Sequence, residues 1–163
     1  MILAEGIYKV LFLKQLERMY KKILVPVDGS EPSKHALATA MDSASKWDAE
    51  LEILTVIPPV TSLLYAEPVT IVVEEFKEQL EKIHQKILQE ATERVKEKHP
   101  ELKIATKLRQ GHVSTMILQE SDKEDIDLIV MGSRGLSGLK CWFLGSVSRS
   151  VVEHCKKPIL IVK

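Results

Sequence analysis

The segment 127–152, "DLIVMGSRGLSGLKCWFLGSVSRSVV", decides the fold because it joins a strand pattern to a helix pattern through a glycine-rich connection. The apolar run 128–131 is typical of a strand buried on both faces of a parallel sheet. A short helix is predicted over 145–155, and Pro158 prevents its continuation. Four of the seven glycines of the chain lie in this segment. The segment therefore predicts a strand–loop–helix unit with a specialised loop.

The same order of strand and helix recurs along the chain. Short β-branched runs predict five strands, at 21–27, 50–57, 102–108, 127–132 and 158–163. Apolar residues three and four positions apart predict helices around 36–44, 69–95, 112–121 and 145–155. This alternation predicts right-handed βαβ units. The fold class is therefore α/β, an open parallel sheet with helices on both faces.

The spacing of the glycines after the fourth strand suggests an anion site. In such sheets a ligand binds outside the carboxyl ends of the strands. The free amides of a helix N-terminus favour an anion, and the hydroxyls of Ser146 and Ser148 and the cations of Arg134 and Lys140 would add to it. The same pattern is compatible with a flexible loop before an ordinary helix cap.

Two common phosphate-binding motifs are absent from the sequence. It contains no G-x-x-x-x-G-K-[ST], and no G-x-G-x-x-G follows its first strand. These absences disfavour P-loop hydrolysis and dinucleotide redox chemistry.

Asp28 ends the first strand in "VPVDGSEPS" and has two interpretations. It is either a turn residue before a helix capped by Ser30, or a recognition group in the ligand crevice. A carboxylate repels phosphates, so in a nucleotide complex Asp28 belongs at the ribose or adenine, or beside a bound cation.

Composition limits the classes of function. Lys and Arg number 23, as do Asp and Glu, and aromatic residues are 5% of the chain, so we expect neither nucleic acid nor a membrane as partner. Two cysteines without a disulfide or zinc pattern indicate the cytoplasm. The histidines show no metal-ligand spacing, so we predict neither a metal-ligand residue nor a catalytic residue. Residues 1–19 form a predicted helical N-terminal extension, and 20–163 form the domain.

At this point the sequence resembles the universal stress protein family, specifically its ATP-binding branch. The resemblance rests on "KKILVPVDGS", "LIVMGSRG", the final "KKPILIVK" and the pattern G-x2-G-x9-G-[ST], which reads Gly132, Gly135, Gly145 and Ser146. It runs from about residue 19 to residue 163. It implies strand order 3-2-1-4-5, the architecture of adenine nucleotide α-hydrolase-like proteins, with Asp28 facing Gly132 across the crevice.

The resemblance also implies a site and partners. One group would line the adenine and ribose end and begin the glycine loop: Val27, Asp28, Val56, Met131 and Gly132. A second group would hold the phosphates: Arg134, Gly135, Gly145, Ser146, Val147 and Ser148. The resemblance further implies bound ATP, a divalent cation such as Mg or Mn, and a homodimer formed through the last strand.

The sequence thus predicts a cytoplasmic ATP-binding stress protein that acts as a nucleotide-dependent switch toward a protein partner. No general base for fast hydrolysis is evident in the sequence. One alternative is an adenylyl-transfer enzyme of the same architecture, although "VDGSEPS" stands where S-G-G-x-D-S or H-x-G-H would be expected. The other is a dimeric scaffold that binds no nucleotide.

Overall fold

A computed structural model describes residues 19–59, 70–123, 125–135 and 144–163, with the backbone alone for 70–74. These residues form five strands and four helices that alternate as the sequence predicts. The elements are β1 (Lys22–Pro26), α1 (Glu31–Trp47), β2 (Glu50–Ile57), α2 (Thr70–Lys98), β3 (Ile104–Gln110), α3 (Val113–Ser121), β4 (Leu128–Gly132), α4 (Ser146–His154) and β5 (Ile159–Val162). The predicted helix over 1–19 lies outside the described residues, except for Met19, as do Gly138 and Lys140.

The strands form a parallel sheet in the order β3-β2-β1-β4-β5, which confirms the predicted topology. β3 is displaced by two residues from its predicted range: the sequence predicts 102–108, and the strand spans Ile104–Gln110. The last two residues, Arg109 and Gln110, are polar, but they pair with Val56 and Ile57 of β2. Backbone pairing at a sheet edge extends the strand beyond its apolar pattern.

Each face of the sheet has its own apolar core. Ile23 and Val25 of β1 point to the face covered by α1 and α2, and Leu24 points to the face covered by α3 and α4. Alternate residues of β2 and β4 divide between the two cores in the same way. The central strands are therefore apolar on both sides, as expected for a parallel sheet between two helical layers.

The turn between β1 and α1 is held by its own polar groups. Ser30 is the N-cap of α1 and its side chain accepts a hydrogen bond from the amide of Ser33. Gly29 has φ +82°, a left-handed conformation that favours glycine. This turn places Asp28 at the carboxyl edge of the sheet.

Candidate functional site

A cavity of about 210 Å³ opens at the carboxyl ends of β1, β2 and β4 and beside the N-terminus of α4. Its position follows the general rule for open parallel sheets. Its wall contains all eleven residues predicted from the sequence: Val27, Asp28, Val56, Met131, Gly132, Arg134, Gly135, Gly145, Ser146, Val147 and Ser148. The fold therefore brings these residues together, while their contact with a ligand remains a prediction.

Asp28 has a role in the turn and also lines the cavity. Its Oδ1 accepts hydrogen bonds from the amide of Ser30, at 3.0 Å, and from the Ser30 hydroxyl. Its Oδ2 faces Gly135, where an added Cβ would lie 2.5 Å from that oxygen. The turn interpretation of Asp28 is thus confirmed, and one carboxylate oxygen remains directed at the glycine-rich segment.

Gly132 has a packing role that the sequence did not reveal. A Cβ at this position would lie 2.8 Å from the carbonyl carbon of Pro32, in the first turn of α1. The close approach of β4 to α1 therefore requires glycine here, whether or not a ligand binds. The structure also brings Gly135 against the Asp28 carboxylate, and Gly132, which the sequence analysis placed across the crevice from Asp28, lines the same cavity.

Hydrogen bonds close the base of the glycine-rich segment. The amide of Gly145 donates to the carbonyl of Ser133 at 2.9 Å, and the Ser148 hydroxyl donates to the same oxygen at 2.8 Å. Ser148 is 2% exposed. The Ser148 hydroxyl proton is therefore used in a hydrogen bond within the protein. The backbone amide of Ser148 is the group that remains to donate to a ligand.

The N-terminus of α4 offers unpaired donors to the cavity. Gly145 is its N-cap and provides no side-chain hydrogen bond. The first intrahelical bond is donated by Arg149 to the carbonyl of Gly145, so the amides of Ser146, Val147 and Ser148 precede the helical ladder. α1 differs, because Ser30 caps it.

Arg134 adds a cation to the same wall. Its side chain is half-buried, and its Nε is buried without an acceptor among the described residues. A buried donor without a partner is costly unless a ligand or water satisfies it. Arg134 and the α4 amides thus form a wall of donors suited to an anion.

The other end of the cavity is mostly apolar. Sequence reasoning missed several of its residues, since nothing in their local pattern distinguishes them from ordinary core positions. They are Pro26, Leu54, Pro58, Val113 and Ile117. Ser33 and His84 also line the cavity and were not predicted. The cavity combines an apolar region, which suits a planar base, with a region of donors.

The residues of the cavity do not form a resident metal site. Among the described residues, no cluster of three or more His, Cys, Asp or Glu side chains could hold a metal ion. Of the residues that the structure describes, Asp28 is the single carboxylate that lines the cavity. This donor set fits a cation that arrives with a phosphorylated ligand, since Mg²⁺ is commonly held by one or two carboxylates together with substrate phosphates.

The fold and the site together define an α/β protein with a ligand cavity at the carboxyl edge of a doubly covered parallel sheet. The family model described as "Universal stress protein family" matches residues 19–163. The chain therefore belongs to the universal stress protein family. In the described residues, no helix is both long enough and apolar enough to cross a membrane.

Known proteins agree with this assignment. The chain is 36% identical over 152 residues to the universal stress protein YxiE of Bacillus subtilis, covering 89% of this chain and 100% of that protein. It superimposes on the universal stress protein UspA from Lactobacillus plantarum with a TM-score of 0.78 at 23% identity, covering 88% and 98% of the two chains.

A universal stress protein solved in complex with cAMP is also similar. Its TM-score is 0.63 at 27% identity, and the match covers 88% of this chain and 96% of that one. That relative thus binds an adenine nucleotide.

Proposed function

We propose that the cavity binds an adenine nucleotide, specifically ATP, and that the protein acts as a nucleotide-dependent switch. The observation that carries the proposal is that the eleven residues predicted from the sequence line one cavity. The complex of a family member with cAMP supports the same class of ligand.

The phosphates would bind at the donor wall, the part of the cavity formed by Arg134 and the first amides of α4. The cavity wall includes Ser146, Val147 and Ser148, with their backbone amides, and Arg134, whose Nε has no acceptor among the described residues. Hydrogen bonds to a charged acceptor contribute roughly 1.5–3 kcal/mol each. A few of them, less the cost of ordering the ligand, support a dissociation constant near the micromolar range, about −8 kcal/mol.

The apolar region would hold the base, and Asp28 would bind the ribose. Leu54, Val56, Ile117, Met131 and Val147 supply apolar surface. The Oδ2 of Asp28, which accepts no hydrogen bond from the described residues, favours hydroxyl groups over phosphates. A magnesium or manganese ion would be held by the phosphates of the bound nucleotide.

The switch would act through a change of surface rather than through fast catalysis. The donors of the wall bind phosphate but do not activate water, which requires a general base within hydrogen-bond reach. We propose that hydrolysis is slow and that the bound nucleotide alters the surface presented to a protein partner in the cytoplasm. The sequence has two cysteines without a disulfide pattern, which suits that compartment.

A homodimer through β5 is part of the proposal. In the described part of the sheet β5 is an edge strand that pairs with β4, and Leu160 on it is 41% exposed. An unpaired edge with exposed apolar side chains can pair with its own copy. Light scattering of the purified chain should give the mass of a dimer, and Leu160→Lys should shift it to the monomer. A wild-type monomer would contradict this assembly.

The central experiment is calorimetric titration of the full chain with ATP and Mg²⁺. We expect micromolar binding and protection from thermal unfolding. Mass spectrometry of protein purified without added nucleotide and then denatured should identify adenine nucleotide. Gly145→Val should weaken binding by placing a side chain in the cavity wall while the fold persists, because a Cβ there meets atoms no closer than 3.4 Å.

Three results would overturn parts of the proposal. Absence of heat and of thermal protection for the wild type would favour a scaffold without nucleotide. Steady-state phosphate release of several turnovers per second would replace the switch with an enzyme. Pyrophosphate release with transfer of adenylate to an acceptor would favour the adenylyl-transfer alternative.

A further inference from the structure

His84 lies in the wall of the cavity, although nothing in its sequence context distinguishes it from a surface histidine. It comes from α2, an element that contributed no predicted site residue, and its side chain is half-buried. α2 packs against α1, β2 and β3. His84 therefore enters from the β2 side of β1, opposite the side where β4 and α4 place the donor wall.

The ring of His84 is oriented by its own helix. Its Nδ1 lies 2.8 Å from the carbonyl oxygen of Leu80. Since a carbonyl oxygen only accepts, Nδ1 carries the proton in this hydrogen bond. In the neutral ring, Nε2 is then an acceptor, and no hydrogen bond among the described residues uses this atom.

The cavity thus divides by hydrogen-bonding type. Arg134 and the α4 amides are donors, whereas Asp28 is a side-chain acceptor, as is Nε2 of His84 when the ring carries one proton, on Nδ1. Ser33 does not alter this division, because its hydroxyl donates to the carbonyl of Ser30 and lies 3.4 Å from the amide of Asp28. A cavity that offers acceptors from Asp28 and His84 suits a ligand with hydroxyl donors.

We propose that His84 is a specificity-determining residue that accepts, through Nε2, a hydrogen bond from a ribose hydroxyl of the bound nucleotide. This inference rests on the proposed function. Asp28 Oδ2 would accept from the neighbouring hydroxyl, because Oδ1 already bonds to Ser30. The pair would select ribonucleotides over nucleotides that lack one hydroxyl.

The test compares the binding of ATP, 2′-deoxy-ATP and 3′-deoxy-ATP by calorimetry. A neutral hydrogen bond lost on binding corresponds to a change in affinity of about two- to tenfold. We expect the wild type to bind ATP more tightly than at least one deoxy analogue by that factor. His84→Ala should lower ATP affinity by the same factor and remove that preference, and His84→Gln, whose amide oxygen can replace Nε2, should restore part of it.

His154 provides a matched control. Its Nδ1 lies 2.8 Å from the carbonyl of Ser150, the same contact one turn back along a helix, but its side chain is exposed and outside the cavity wall. His154→Ala should therefore keep both ATP affinity and the preference for ribose. Thermal unfolding of each variant checks that the fold is retained.

The outcomes separate this inference from the proposed function. If the wild type binds no ATP, both the proposed function and this inference are wrong. If ATP binds and His84→Ala retains the full preference for ribose, the inference alone is wrong. If His84→Ala instead loses discrimination between ATP and inosine triphosphate, its partner is the adenine amine and the ribose assignment is overturned.

Discussion

The two edges of the sheet place their charged side chains in different surroundings. At the amino edge, Lys22 of β1 bonds to the carboxylates of Glu52, at 2.9 Å, and Asp125, at 2.8 Å, and lies 3.4 Å from Glu50. At the carboxyl edge, the Nε of Arg134 is buried and has no acceptor in the described part of the chain, and the first amides of α4 precede their helical ladder. The buried carboxylate of Glu52 thus has a cationic partner at one edge, whereas the cation of Arg134 faces the cavity wall at the other.

At the amino edge, the ion pairs of Lys22 stabilise the folded protein. The Glu52 side chain is 1% exposed and that of Lys22 is 14% exposed. Burial alone would lower the pKa of Lys22, but hydrogen bonds to Asp125 and Glu52 and the charges of Glu52 and Glu50 raise it above its ordinary value. The hydrogen bond from Lys22 in turn lowers the pKa of the Asp125 carboxyl. The second oxygen of Glu52, Oε1, also has no hydrogen-bond partner among the described residues, so an unpaired atom alone does not mark a ligand site. The difference is that Glu52 has a cation beside it, whereas Arg134 lines a cavity that can admit a ligand.

The largest expected effect is on stability at the amino edge. Lys22→Met would leave Glu52 buried without its cation, which should lower the free energy of unfolding by about 3–5 kcal/mol. Chemical denaturation measures the change. The double variant Lys22→Met, Glu52→Leu should recover most of it, because an apolar pair needs no counter-charge.

The exposed pair of Lys34 and Glu31 serves as a control for that prediction. Its side chains are 44% and 72% exposed. Lys34→Met should therefore change the free energy of unfolding by less than about 1 kcal/mol. An equal loss in both single variants would remove the distinction between the buried and the exposed pair.

The next effect separates two glycines at the carboxyl edge. Gly132→Ala would place a Cβ 2.8 Å from backbone atoms of Pro32, so we expect destabilisation of about 1–3 kcal/mol. Gly145→Ala meets only ordinary contacts, the nearest at 3.4 Å. Thermal unfolding of the two variants should rank them in this order, and the reverse ranking would refute the packing role of Gly132.

The third effect is a loss of ATP affinity without a loss of stability. Arg134→Gln should weaken ATP binding by about 10- to 100-fold, since a hydrogen bond between two charged groups is lost, while unfolding changes little. Arg149→Gln is the matched control, because Arg149 lies on α4 but is exposed and outside the cavity wall. Calorimetry on both variants tests the prediction, and equal losses would point to general charge rather than to a specific contact.

The smallest effect is a pH dependence at the amino edge. Since the pKa of Lys22 is raised on folding, its contribution is fully present below the ordinary lysine value of about 10.4 and is lost as the pH rises above it. The stability difference between wild type and Lys22→Met should therefore shrink between about pH 9 and pH 11.5. Denaturation curves at these two pH values measure it, and a constant difference would contradict the role of the charge.

Much of the fold could be predicted from local pattern. The five strands and four helices lie close to their predicted ranges because burial on both faces and helical spacing leave a period in the sequence itself. The β4–α4 half of the candidate site could also be predicted, because Gly135, Gly145 and Ser146 are near one another along the chain. The N-cap role of Ser30 is likewise a local signal.

The remainder depends on which elements become neighbours. The order β3-β2-β1-β4-β5 came from the family resemblance rather than from any single segment. Position 132 requires glycine because α1 approaches β4 closely at Pro32. The Ser148 hydroxyl donates its hydrogen bond to the carbonyl of Ser133, fifteen residues earlier in the chain. Neither contact leaves a period or a motif in the sequence.

The sequence by itself therefore determined the α/β alternation and the glycine and helix-terminus half of the cavity. Only the tertiary structure decided that Glu52 is buried beside Lys22 and that His84 lines the cavity wall. The physical reason is that secondary structure follows from the spacing of residues along one chain segment. The environment of a polar side chain is instead set by segments far away in sequence that pack around it.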